Sequence, residues 1–133
     1  MPLASHRQTF HYGSWVFDID RAQKLLEEQP RPVVQTPVAD WAAAYHLHLL
    51  TPDYHGEPWC PVFGPDQSHF NANYAMQTDL DKPVIIATMQ FDGNPALLLI
   101  DGVHRMCRAM SEGLSTLPAY ILTVDETATV RDR

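Results

Sequence analysis

The chain has 133 residues, with nine Lys and Arg against 16 Asp and Glu, so its formal charge is −7 with neutral His. That length suits one hydrophobic core, and the acidic balance argues against a dedicated nucleic-acid binder, which carries a basic face. A hydrophobic content of 45% excludes wholesale disorder.

Gly13 to Phe17 alternates aromatic and β-branched types and reads as a short strand. A helix follows from Ile19 to Glu28, with Asp18 as its N-cap and Ile19, Ala22, Leu25 and Leu26 on one face; Pro30 and Pro32 stop it. Residues 30–83 read as a long irregular insertion, interrupted by an Ala- and Leu-rich helix over Val38 to Leu50. The stretch from Pro52 to Asn73 is crowded with Pro, Gly, Asn and aromatics, which fits an ordered excursion because Trp59, Phe63 and Phe70 need burial.

The pattern sharpens from Pro83. Val84 to Gln90 predicts a strand, Phe91-Asp92-Gly93-Asn94 a hairpin turn, and Ala96 to Ile100 the returning strand. After Asp101-Gly102 the spacing of Val103, Met106, Cys107 and Met110 predicts a helix to about Glu112, with Gly113 just beyond its end. Leu117 to Val124 reads as a last strand. The fold class expected is α+β: one domain over residues 1–133, with a mixed sheet flanked by helices.

No apolar run approaches the ~20 residues of a membrane span, and the N-terminal residues hold no secretory signal, so no membrane association is expected. Cys60 and Cys107 lack the spacing of a zinc or redox motif, which fits a reducing, cytoplasmic setting.

The turn at Asp101-Gly102 is where chemistry is expected. A glycine between a strand and a helix lets a ligand approach the backbone, and the first amides of a helix carry partial positive charge suited to phosphate oxygens. His104 and Arg105, read as lying off the apolar stripe, add a switchable donor and a permanent bidentate one. The bland alternative is a capped helix start with two solvated cations.

The run VFDIDRAQKLLEEQ, the hairpin PVIIATMQFDGNPALLLI and the closing IDGVHRMCRAMSEGLSTLPAYILTVDET together resemble the ParB/sulfiredoxin superfamily. The resemblance covers about the first 30 and last 50 residues and leaves the middle unmatched. It implies a small nucleotide-binding domain in which Gly102, Val103, His104 and Arg105 hold phosphates, while Arg21 and Lys24 assist from the first helix. Sulfiredoxins place a catalytic Cys directly before the His-Arg pair. Val103 stands there instead, so sulfinic-acid repair is not expected, and Cys107 one turn later reads as a core residue. Val103 and Cys107 also replace polar or charged residues of ParB partition proteins. The Asp-Gly-x-His-Arg form is closer to free-serine kinases and plasmid fertility-inhibition proteins.

The function expected is binding of a nucleoside tri- or diphosphate such as ATP or CTP, with hydrolysis or phosphoryl transfer. Asp101 and His104 are the candidate catalytic groups, and Asp101 is the candidate ligand for a Mg²⁺ carried by the nucleotide. Asp18 and Asp20 rank behind Asp101, with helix capping as their plainer role. An inhibitor or interaction module that keeps the fold without turnover is the alternative, and a nuclease is third, disfavoured by the net charge. His46, His48, His55, His69 and Cys60 have no recognised zinc spacing, and residues 46–75 read instead as a surface for a protein partner.

Overall fold

The computed structural model describes residues 9–12, 15–45, 47 and 78–132. Its elements are β1 (Thr9–Tyr12), β2 (Trp15–Asp18), α1 (Ile19–Glu28), β3 (Val34–Pro37), α2 (Val38–Ala44), β4 (Val84–Phe91), β5 (Asn94–Asp101), α3 (Val103–Ser111), β6 (Thr116–Ile121) and α4 (Val124–Val130). β1 and β2 form an antiparallel pair, and the other four strands form a mixed sheet in the order β3-β6-β4-β5. The α+β class is as the sequence predicts. Among the described residues no helix is long and apolar enough to cross a membrane.

Local chemistry explains most of these elements. Asp18 caps α1 by accepting the Arg21 N–H at 3.0 Å, and Ile19 and Ala22 are buried beneath it. The Gln29 N–H closes the helix on Leu25 O before Pro30 prevents another turn. In the hairpin, Asp92 and Gly93 have φ of 51° and 83°. Positive φ at both central residues is the two-residue type I′ geometry that matches strand twist. Pro95 opposes Gln90 in the register.

Five expectations need correction. β3 lies inside the stretch read as irregular. It is an edge strand paired only with β6, the position where Pro37 costs no ladder bond. α2 ends at Ala44, not Leu50, with Tyr45 as its C-cap. The Tyr45 side chain is buried, and its hydroxyl donates to Leu99 O at 2.7 Å. The strand β1 was not expected at all, and neither was α4. β6 stops at Ile121, and α4 follows with a capping box in which Thr123 Oγ1 accepts from Glu126 N–H and the Glu126 carboxylate accepts from Thr123 N–H.

The core is continuous from Phe17 and Ile19 through Ile86, Leu99 and Met106 to Leu122 and Val130. α3 packs against α2 and β6, whereas α1 packs against β1 and α4. That division decides which side chains can meet at the turn after β5.

Candidate functional site

The site is built on the end of β5, the start of α3 and the chain that leads into β4. Gly102 sits at the N-cap of α3 with φ 107° and ψ 22°, and no side chain caps the helix there. A Cβ at this position would collide with Val84 Cγ1 and lie 2.9 Å from Val84 Cβ, so only glycine fits. The first helical closure is Met106 N–H to Gly102 O at 2.8 Å. An α-helix leaves its first amides without intrahelical acceptors, so those of Val103, His104 and Arg105 form the positive end of α3.

Arg105 differs from its reading as a solvent-facing donor off the apolar stripe. Its side chain is 8% exposed. Nη1 donates to Lys82 O at 3.1 Å and to Pro83 O at 3.2 Å, while Nη2 donates to Asp101 Oδ2 at 3.3 Å. The guanidinium thus ties three stretches of backbone together behind the turn. Arg108 continues the fastening one turn later, with Nη1 on Thr78 O and Nε on Glu112 Oε2 at 2.6 Å. Anchoring of residues 78–83 to α3 by two arginines had no signal in the local sequence, because a carbonyl acceptor can belong to any residue type.

His104 is half-buried, and burial holds its pKa below the usual histidine value. Desolvation penalises the imidazolium, so the ring is neutral near pH 7. Asp101 is 22% exposed, with one carboxylate oxygen directed at Arg105. Val103 is buried with its side chain in the core, leaving only its amide to the site. Cys107 is buried as expected of a core residue.

The first helix is placed differently from the expectation. Arg21 donates to Thr129 O at 2.9 Å. It also lies 3.7 Å from both Asp18 and Asp132. It is therefore committed to the C-terminal end of α4, and Lys24 is exposed on the same helix. The helix beside α3 is α2, so the structure does not bring Arg21 and Lys24 together with the turn. Asp18 is buried in its capping role and Asp20 is exposed.

Among the described residues no group of three His, Cys, Asp or Glu side chains is arranged to hold a metal ion. Asp101 fits a smaller task. Mg²⁺ binds through one or two carboxylates when phosphates and water complete its shell, and Arg105 engages only Oδ2, leaving Oδ1 for the ion. The expected partner surface at 46–75, including His46, His48, His55, His69 and Cys60, lies outside the described residues apart from Leu47, which is buried.

Comparison of the chain with models of known families, with curated proteins and with solved structures finds no match.

Proposed function

We propose that the β5–α3 turn binds the phosphates of a nucleotide and that the protein hydrolyses or transfers a phosphoryl group. The observation that carries this reading is Gly102, which opens the amide end of α3 with a left-handed backbone and no capping side chain. An uncapped helix start at the end of a strand is an electrostatic seat for an anion. The order of hairpin, Asp-Gly turn, helix and strand supports membership of the ParB/sulfiredoxin superfamily within the same proposal.

The residues take distinct roles. The amides after Gly102 and the imidazole of His104 contact phosphate oxygens directly. Arg105 contributes its positive charge from behind the turn and orients Asp101, in place of the direct contact expected from sequence. Asp101 directs water, a hydroxyl or a Mg²⁺ bound to the nucleotide. The metal, when bound, neutralises phosphate charge. Arg21 and Lys24 have no part in this reading, since α1 packs on the other helix pair.

Binding without turnover is the second reading, and the geometry of Arg105 favours it. An arginine that stabilises a phosphoryl transition state must reach the transferring group. Here the guanidinium is held by Lys82 O, Pro83 O and Asp101.

Calorimetric titration with ATP, CTP and ADP plus Mg²⁺ tests the common core of both readings. Saturable heat with at least one nucleotide, lost in His104→Ala, is expected; no heat with any of them overturns the proposal. Phosphate release that falls in Asp101→Asn separates the enzyme from the binding module.

A further inference from the structure

The mixed sheet ends in two outer strands that differ in how they are covered. On β5 the Tyr45 hydroxyl takes Leu99 O at 2.7 Å. β3 pairs with β6 alone, and its other edge is open: Val33 and Val34 are each 43% exposed, and Gln35 and Pro37 are exposed with them. Edge strands are commonly blunted by a charge or a covering element. Residues 32–39 carry no charged side chain.

The register with β6 fixes which backbone groups of β3 face outward. Gln35 stands opposite Pro118, which has no N–H to exchange, as fits a non-hydrogen-bonded pair. Val38 N–H donates to Ser115 O at 3.0 Å, which continues the same alternation past the end of the strand. Val34 and Thr36 therefore turn their N–H and C=O toward β6, and Gln35 turns both of its groups away. Because Val34 N–H points inward, planarity of the peptide sends Val33 C=O outward as well. These three outward groups have no partner among the described residues. Pro37 offers only a carbonyl on that side, so the usable edge consists of Val33 and Gln35.

We infer that this edge pairs with the same edge of a second copy of the chain, antiparallel about a two-fold axis at Val34. Gln35 N–H then donates to Val33 O of the other copy, and with Val33 extended the reciprocal bond forms too, on each side of the axis. The two Val34 side chains meet as a non-hydrogen-bonded pair, where Cα atoms lie about 4.5 Å apart and side chains pack closest. A second copy presents outward groups at the same two positions, so the edges match in length, whereas a longer foreign strand leaves a carbonyl without a donor opposite Pro37. The neutral segment also lets two chains of charge −7 meet with no like charges facing at the axis. Self-pairing of one patch about a two-fold is the commonest form of association. A short ladder and one valine pair make a small contact, so the dimer is weak. The surface is separate from the turn at Gly102, so either assignment can fail without the other.

The test is sedimentation velocity of the full chain from about 10 µM to about 1 mM, with amide hydrogen exchange of the ¹⁵N-labelled chain over the same range. A rise toward twice the monomer mass is expected, with Gln35 exchange slowing as the dimer forms. Gln35→Pro removes the outward donor without touching the β3–β6 ladder; with native circular dichroism it should weaken association about tenfold or more. Val34→Lys and Val34→Glu, at an exposed position, should each do the same, and an equimolar mixture of the two should restore association to within several-fold of the original. The inference is overturned by a monomer at every concentration, by a dimer that survives Gln35→Pro, or by failure of the mixture to restore pairing. Slow Gln35 exchange at every dilution also overturns it, in favour of cover by the chain itself. So does a monomer whose Gln35 amide shifts saturably with an unrelated alternating Thr-Val peptide, in favour of a foreign strand.

Discussion

Arg105 Nη2 and Asp101 Oδ2 lie 3.3 Å apart across one turn at the start of α3. The pair bridges the end of a strand and the beginning of a helix, and the same guanidinium holds Lys82 O and Pro83 O. One buried cation therefore sets the shape of the turn, the direction of a carboxylate and the path of the chain entering β4.

Arg105→Ala leaves those two carbonyls and a partly buried carboxylate without their donor. Loss of about 2–4 kcal/mol is expected, because breaking a buried charged network strands the remaining partners. Urea denaturation checks it. Arg105→Lys should recover only part of the loss, since an ammonium cannot reproduce the planar fork; full recovery would show that charge alone matters.

Two glycines with positive φ separate backbone strain from close approach. Gly93 has φ 83° and open space where a Cβ would go, whereas Gly102 has φ 107° and Val84 in that space. Gly93→Ala should cost about 1 kcal/mol from backbone strain alone. Gly102→Ala should cost clearly more, in the range of a few kcal/mol, because Val84 is fully buried and must shift. Equal midpoints for the two variants would contradict the packing at the turn.

The pairing of Arg31 with Glu126 predicts an acid-sensitive contribution to stability. Arg31 Nη1 and Nη2 donate to the two carboxylate oxygens at 2.6 and 2.7 Å. The hydrogen bond from Arg31 is the largest cause that brings the Glu126 pKa from 4.5 down to about 2; the Thr123 cap and the charge of Arg31 add to it, against desolvation, which acts in the opposite direction. A carboxylate whose folded pKa is depressed stabilises above its unfolded pKa and loses that contribution as pH falls through the folded value. The shift corresponds to about 3 kcal/mol. Glu126→Gln should be less stable by an amount of that order at pH 7, and the difference should shrink between pH 5 and pH 2 in denaturation midpoints.

His104 gives the proposed site a pH dependence of opposite sense. Its pKa is lowered by burial in the free protein, and a bound phosphate favours the imidazolium. Nucleotide binding should therefore take up protons near and below pH 6.5, and affinity should rise as pH falls through that region. Calorimetry in buffers of different ionisation enthalpy measures the uptake. His104→Gln should remove it, and unchanged uptake in that variant would assign the proton to another group.

Where periodicity and punctuation agree, the residues announce the structure. Asp18 followed by the Ile19, Ala22, Leu25 and Leu26 stripe gives α1 over Ile19–Glu28, and Asp92-Gly93 between two apolar runs gives the hairpin. β3 is hidden by Pro30, Pro32 and Pro37, which demote a strand unless it lies on an edge. α4 is hidden by the β-branched Val124, Thr127, Thr129 and Val130, which have modest helix propensity. The Thr123-x-x-Glu126 pattern is the signal that finds it. β1 could be found from the Gly13-Ser14 pair between two runs rich in aromatic and β-branched residues. At the turn, the glycine was legible because its neighbours alternate from strand to helix period. The burial of Arg105 was not, since it depends on carbonyls that arrive from 22 and 23 residues earlier in the chain.

The most direct test of the nucleotide reading is the amide spectrum of the ¹⁵N-labelled chain as ATP and Mg²⁺ are added. Saturable shifts centred on Gly102, Val103, His104 and Arg105, with the Arg21 and Lys24 amides unmoved, are predicted. Unmoved amides at residues 102–105 under saturating nucleotide, or shifts confined to α1, would contradict it.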